Sequence, residues 1–501
     1  MFENEVVVVR TFENQVQLVK YEVLKEVARL TFQDQLEALY VRIPNVVNPG
    51  PEPRFRCCIH HERAVTKERI KMAMGGTPAI PGVVEVLDAA CDQCPVSRYK
   101  VTESCRGCLA HRCQAACPVG AIQVLQGKAM IDESKCVECG RCQSACPYNA
   151  IVDTLRPCMK ACPVEALSIN AQKKAVIDYK KCIQCGACVY NCPFGAIQDK
   201  SEIVPIIRKL MAARQPGAPQ VYAVIAPAFA SQFNYANLGQ IITGIKRLGF
   251  RDVVEAALGA DLVAVHEAGE LLSHLEHHRY MTSSCCPAFV DFIHKKHPQV
   301  LENVSGTVSP MIAASKLIKA VDPAAVTVFI GPCIAKKAEK ALPELAGITD
   351  YVMTFEELIS LLDAREIRLE ELPESPMNNA SYYGRIFAGA GGLSKAVVAT
   401  ALKLTPASDV KVVAVAGDGI KACDKLLKLA KANRLEGNFI EGMACEGGCI
   451  KGPVALHHGA KDLKALEAYA KLALEEDAIA ATRIFDDVEI ALGRKLEKRV
   501  G

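Results

Sequence analysis

The sequence predicts an α/β protein: a large unit built on mostly parallel sheets, preceded by a small α+β unit held together by cysteines. Two observations carry this. From about residue 220 onward, apolar strand-like segments alternate with longer amphipathic stretches, the pattern of parallel strands joined by crossover helices. Between residues 91 and 192, by contrast, segments are short and cysteines dense, so metal ligation rather than an apolar core must organise that part. At 501 residues the chain exceeds the size at which one core keeps growing. Three regions are expected, 1–85, 86–213 and 220–501.

In the first region EVVVV reads as a strand and YEVLKEVARLTFQDQLEAL as an amphipathic helix. NPGPEPRF is a loop that delivers Cys57 and Cys58 beside His60 and His61, and the turn-rich MGGTPAIPG precedes the cysteine-dense part. RQPGAP (214–219) reads as a linker. Beyond it, VYAVIAPA (221–228), AVTVFIGPC (325–333), VKVVAVAG (410–417) and NFIEGMAC (438–445) read as buried strands. NLGQIITGIKRLGF, PAFVDFIHKKHP and SPMIAASKLIKAV read as helices, and KDLKALEAYAKLALEEDAIAATRIF as helix near the C-terminus. Ligands in such sheets sit beyond the strand carboxyl ends, where GPC and GMAC fall.

Half the residues are apolar, only 6% are aromatic and tryptophan is absent, so Val, Ile, Leu and Ala fill the interior. Lys plus Arg number 59 against 56 Asp plus Glu, which gives no broad basic field for nucleic acid or an anionic membrane. The N-terminal apolar run is too short for a signal-peptide core, and nowhere do ~18 apolar residues run uninterrupted. A soluble cytoplasmic protein is expected. The cytosol keeps thiols reduced, so the 24 cysteines point to metal ligation rather than disulfides.

The cysteines form the chain's only internal repeat, triplets closed by CPVGAI, CPYNAI, CPVEAL and CPFGAI at 117, 146, 162 and 192. This is the ferredoxin arrangement, in which the fourth cysteine of a run ligates the other 4Fe-4S cluster. Cys105, Cys108 and Cys113 then take Cys146, while Cys136, Cys139 and Cys142 take Cys117. The Cys108 to Cys113 spacing is long and reads as a loop insertion. Cys182, Cys185 and Cys188 form a third triplet with Cys162. Cys158 and Cys192 remain, with Cys57, Cys58, Cys91 and Cys94, enough thiols for a fourth cluster whose ligands the spacing does not choose. Zinc also accepts four cysteines, but it needs no CP-closed triplets.

Five more cysteines lie downstream in TSSCCPAFV (282–290), GPCIAKKAE (331–339) and EGMACEGGC (441–449). Cys286, Cys333, Cys445 and Cys449 supply four thiolates from three loops, enough for one buried cubane. Cys445 and Cys449 stand one turn apart if that stretch is helical. Cys285 is then a spare thiol able to relay protons. His266, His274, His277, His278, His457 and His458 read as surface histidines rather than metal ligands, and GAGG (389–392) as tight packing rather than a phosphate loop.

The three motifs resemble TSCCPxW, MPCxxKxxE and ExMACxxGC of the iron-only (FeFe) hydrogenases, in the same order. With APAF, HEAGEL and GAGGLSKA the resemblance covers roughly 221–455, with ferredoxin-like cassettes upstream. It implies a catalytic H-cluster domain of two sheet-containing lobes behind a ferredoxin-like α+β iron-sulfur domain. It implies an H-cluster, a 4Fe-4S cubane joined to a two-iron unit bearing CO, cyanide and a bridging dithiolate, together with at least three accessory clusters. Residue by residue, Cys286, Cys333, Cys445 and Cys449 match the cubane ligands, Cys449 the bridge, Lys336 the cyanide partner and Met443 a neighbour of the two-iron unit. Cys285, Glu267, Ser309 and Glu270 match the proton path. The implied activity is reversible hydrogen oxidation, with electrons passed to ferredoxin or a similar soluble carrier and cofactor insertion by hydrogenase maturation enzymes. Gly331, Phe289, Ala228 and KGPV depart from the better-known members and resemble a monomeric group B-like branch. A hydrogen-sensing regulator and a hydrogenase-like iron-sulfur assembly protein are the rivals.

Overall fold

A computed structural model describes residues 12–405 and 411–496. The expected strand EVVVV, and Val410 of VKVVAVAG, lie outside these. The N-terminal helix runs Gln15–Phe32, capped by the Asn14 side chain, and ends where Asp34 turns left-handed. The single helix read over YEVLKEVARLTFQDQLEAL is therefore broken, its end passing into a short 3-10 turn (Leu36–Ala38) and a second helix, Leu39–Val47. A third helix, Ile59–Ala73, starts directly after Cys58.

The cysteine-dense part is built on four two-stranded antiparallel ribbons, which pair Val84–Val86 with Ile197–Asp199, Tyr99–Val101 with Ile151–Asp153, Ile122–Leu125 with Lys128–Ile131, and Leu167–Ile169 with Ala175–Ile177. Each ribbon is too short to make a core of its own. The cysteines themselves pack between them.

Two parallel sheets follow. One has four strands in the order Asp252–Glu255, Val221–Ile225, Val326–Gly331, Tyr351–Thr354, all parallel. The other has three in the order Met281–Thr282, Phe439–Met443, Ala414–Asp418, also parallel. Their central strands are buried on both faces, which explains why they read as continuous apolar runs. Between the sheets lies the helix Ala256–His274, which packs against Pro310–Val321 and Gly392–Leu404. Leu238–Leu248, Pro287–Lys296 and Pro310–Val321 stand where the sequence predicts helices. The C-terminal segment differs: Asp462–Ala470 and Ala478–Thr482 are separate helices, because the acidic run around Glu475 and Glu476 turns and Asp477 caps the second helix.

Buried charges join the three regions. Lys20, on the first helix, reaches Asp199 of the cysteine-rich part at 2.6 Å and Glu356 of the sheet domain at 2.5 Å. Lys337 bonds the same Asp199 at 2.8 Å and Glu357 at 3.0 Å. Burial alone would pull Lys20 down and push Asp199 up; their mutual charges reverse both, so Lys20 stands above its ordinary value and Asp199 well below the usual carboxylate range.

Candidate functional site

The CP repeat has a structural reason. In each copy the backbone N–H four residues beyond the cysteine donates to its sulfur: Ala121 to Cys117 (3.2 Å), Ala150 to Cys146 (3.3 Å), Ala166 to Cys162 (3.2 Å) and Ala196 to Cys192 (3.2 Å). The turn that brings each N–H back requires a left-handed residue between, filled by Gly120, Asn149, Glu165 and Gly195. Such bonds stabilise sulfur that carries thiolate charge.

Cys105, Cys108, Cys113 and Cys146 line one small cavity. The long Cys108 to Cys113 spacing is accommodated by a left-handed His111 at the start of the short helix Arg112–Ala115. Cys136, Cys139 and Cys142 feel one another's charge, and Cys117 packs in the same cluster as Cys142. Cys162, Cys182, Cys185 and Cys188 form a third group. The leftover thiols are sorted by the fold: Cys158 faces Cys192, Cys94 and Cys91. Cys57 and Cys58 stay exposed, with Cys57 Sγ 3.3 Å from His61 Nδ1.

This fourth group has a cationic wall. Arg156, 3% exposed, places Nη1 3.7 Å from Cys91 Sγ. Arg69, 6% exposed, leaves Nε and Nη1 buried with no hydrogen-bond partner. Burial and the neighbouring Arg56 pull Arg69 down to about 10, with Glu62 and then Cys192 acting in the opposite direction. A buried guanidinium with two unpartnered nitrogens beside Cys192, together with Arg156 beside Cys91, fits a negatively charged iron-sulfur cluster. Among the described residues no three His, Cys, Asp or Glu side chains converge tightly enough for a lone metal ion; the thiols stand back around larger spaces.

The central cavity, about 90 Å³, is lined by Cys285, Cys286, Cys333, Cys445 and Cys449, with Lys336, Met443 and a ring of Ala, Pro and Phe side chains. Three backbone features build it. Cys286 sits at the N-cap of Pro287–Lys296, Cys333 follows the strand Val326–Gly331, and Cys445 and Cys449 flank a turn in which Gly447 and Gly448 are both left-handed. The CxxxC stretch is thus a glycine turn rather than a helix. A Cβ on Gly448 would collide with the backbone of Ala388 to Ala390, so the turn fits only with glycine there. Burial pushes the thiols up, Cys333 to about 11 and Cys449 to about 12. Cys185 of the third group also lines this cavity, and Gly186 beside it lies against Ile334 and Pro453. Cys188 in turn faces Cys158 of the fourth group. The fourth and third thiol groups thus form a series leading to the cavity.

Lys336 Nζ donates to Glu339 Oε2 at 2.7 Å and to the carbonyl of Cys285 at 3.1 Å, which pins a charged side chain at the cavity wall. Burial, followed by the adjacent Glu267, pushes the Cys285 thiol well up and keeps it protonated. Glu267 is completely buried with neither carboxyl oxygen in a hydrogen bond, and burial raises it to about 8, Ser305 and the Ser284 backbone pulling the other way. Within HEAGEL it points inward rather than to solvent. Glu270 accepts from Ser305 Oγ (2.7 Å), Gly306 N (2.6 Å) and Thr307 Oγ1 (2.8 Å). The hydroxyl between the two carboxyls is therefore Ser305; Ser309 Oγ is buried without a partner.

The family described as iron only hydrogenase large subunit, C-terminal domain, matches residues 219–453, the stretch that supplies every cavity cysteine except Cys185. Over this stretch the chain resembles the FeFe hydrogenases. A 4Fe-4S binding domain matches residues 129–152 and 175–198. Iron hydrogenase 1 of Clostridium pasteurianum is 30% identical over 292 residues, 50% of this chain and 51% of that one. The NADP-reducing hydrogenase subunit HndD of Solidesulfovibrio fructosivorans is 29% identical over 338 residues, 56% and 57% of the two chains. The chain thus spans between half and three fifths of the length of these relatives. The cytosolic Fe-S cluster assembly factor NAR1 of Meyerozyma guilliermondii is 33% identical over 134 residues, 24% and 25% of the chains.

In this hydrogenase-like chain the unusual residues have local causes. A Cβ on Gly331 would press into the Phe329 ring and Ala226. Phe289, completely buried, lies directly over Gly442, where a Cβ would clash with its ring. No sequence signal marked Ser305, Arg69 or Arg156, because each gains its meaning from distant segments.

Proposed function

We propose that this chain catalyses reversible oxidation of hydrogen to protons and electrons. The observation that carries the reading is the buried Cys285 thiol at the wall of a four-cysteine cavity, beside the buried Glu267. Cys286, Cys333, Cys445 and Cys449 would hold the cubane of an H-cluster, with Cys449 shared with a two-iron unit. When bound, that group supplies the hydrogen-splitting and electron-accepting chemistry. Lys336, fixed by Glu339, presents an ammonium suited to an anionic ligand, and Met443 packs beside the same space. Cys285 Sγ gives or takes a proton at the cavity, and Glu267, poised near neutrality, exchanges it with the interior hydroxyls. The four outer thiol groups would hold 4Fe-4S clusters that carry electrons between the cavity and a soluble carrier of the ferredoxin type. Regions 86–213 and 220–501 serve as electron-transfer and catalytic parts of a cytoplasmic, group B-like enzyme filled by hydrogenase maturation enzymes.

A second reading follows from the NAR1 similarity: an iron-sulfur assembly role without a two-iron unit. Such a role has no need of a buried proton-carrying thiol beside Glu267. Hydrogen uptake with a viologen acceptor, assayed on matured protein, tests the choice. Uptake abolished by Cys285→Ala supports the enzyme; no uptake by the unaltered protein contradicts it.

A further inference from the structure

The helix Ala256–His274 carries His266, Glu270 and His274 at four-residue spacing, one above another on a single face. Glu267, next to this row, points to the interior. Glu270 is the hinge between inside and outside: Ser305 Oγ holds it from the buried side at 2.7 Å, and Thr307 Oγ1 donates to its Oε2 at 2.8 Å. The same Thr307 hydroxyl lies 2.8 Å from His266 Nδ1. Thr307 is completely buried, whereas the His266 ring is only half-buried. His274, the other imidazole on this face, turns Nε2 toward Asn303 at 3.4 Å and stacks on His278 at 4.1 Å. Among the described residues, Thr307 is the hydroxyl that joins Glu270 to an imidazole.

We propose that protons pass between Glu270 and solvent through the Thr307 hydroxyl and the His266 imidazole. The inference rests on the hydrogenase reading and extends it from the cavity to the surface. Inward, an imidazolium at His266 gives its Nδ1 proton to Thr307 Oγ1 as Thr307 gives its own proton to Glu270 Oε2. One N–H and one O–H break; a new Thr307 O–H and a carboxyl O–H form. His266 is left neutral with Nε2 protonated, and exchange with water resets the ring. Outward transfer is the reverse. Imidazole suits this place because it can accept a proton at one ring nitrogen and release one from the other.

The test uses matured protein, in buffer dilute enough that mobile acids do not replace the relay. His266→Gln keeps a hydrogen-bonding side chain of similar size but cannot carry a proton. Turnover falls on the order of tenfold, below the ~10²–10⁴ carried by a proton-transfer group at the reacting atoms. Added free imidazole restores it, and the infrared bands of the active site stay in place. Thr307→Val gives the same loss, and the double variant loses no more. His277→Gln, on the exposed turn beyond the helix, keeps full activity. In 15N-histidine-labelled protein the Nδ1 resonance of His266, identified by its loss in His266→Gln, shifts in Thr307→Val. Full turnover of His266→Gln in dilute buffer, or an unshifted resonance, overturns the relay. If the unaltered protein does not turn over hydrogen, the hydrogenase reading falls first and the relay with it.

Discussion

Lys337 Nζ lies 2.8 Å from Asp199 Oδ2, and both side chains are almost wholly removed from solvent. One comes from the short helix Ala335–Glu339 after Cys333, the other from the strand Ile197–Asp199 of the cysteine-rich part. With Lys20 bonded to the same carboxylate, this pair ties the cysteine-rich part to the helix that follows Cys333. Removing one member of a buried ion pair leaves an uncompensated charge, at a cost of roughly 3–5 kcal/mol. Asp199→Asn is expected to lower stability by about that amount in chemical denaturation, through loss of interdomain docking.

Glu267 makes stability depend on pH. At low pH the folded and unfolded chains both hold its proton. As pH rises through the ordinary carboxyl value the unfolded form ionises while the folded one, raised to about 8, does not. Folding therefore loses stability across this window, by on the order of 3–5 kcal/mol once pH passes the folded value. Glu267→Gln is expected to flatten the slope between about pH 5 and 8 in urea titrations, and to slow hydrogen turnover. A slope unchanged by the substitution would place the titrating group elsewhere.

The fourth thiol group yields a count. Cys158→Ser or Cys91→Ser is expected to remove one cluster's iron per chain while leaving the others, whereas Cys57→Ala and Cys58→Ala leave the iron content unchanged. Arg69→Met keeps the cluster but moves its reduction potential to lower values, since a buried cation favours the more negative reduced state. Iron analysis and redox-monitored paramagnetic resonance read both outcomes.

The sequence made much of this site legible because cluster ligation is local: the CP-closed repeat, the left-handed turn and the returning N–H all lie within five residues. The strands Val221–Ile225 and Val326–Gly331 read well for a similar reason, since strands buried on both faces are continuously apolar; VKVVAVAG reads as buried too, but its strand, Ala414–Asp418, lies at a sheet edge and is only partly buried. The pairing of Cys91 and Cys94 with Cys158 and Cys192 was hidden, because the segments meet only once the ribbons Val84–Val86 and Leu167–Ile169 have formed. Ser305 was hidden too. A serine beside a glycine reads as a loop residue until Glu270 folds against it. The sequence left open whether Cys445 and Cys449 share a helix; Gly447 and Gly448, both at positive φ, make the stretch a turn instead.

Substitution of Cys285 tests proton delivery apart from metal binding. Cys285→Ala is expected to cut hydrogen turnover by ~10²-fold or more while the cubane's paramagnetic signal remains, because the four ligating thiols are untouched. Loss of the signal together with activity would make Cys285 a structural or ligating residue instead.

The four-cysteine cavity beside Cys285 and Lys336 is proposed to hold a hydrogen-splitting centre. Infrared spectroscopy of the protein matured with hydrogenase assembly enzymes tests it most directly. CO and cyanide stretching bands that shift under hydrogen are predicted. A fully iron-loaded protein with no such bands would contradict it.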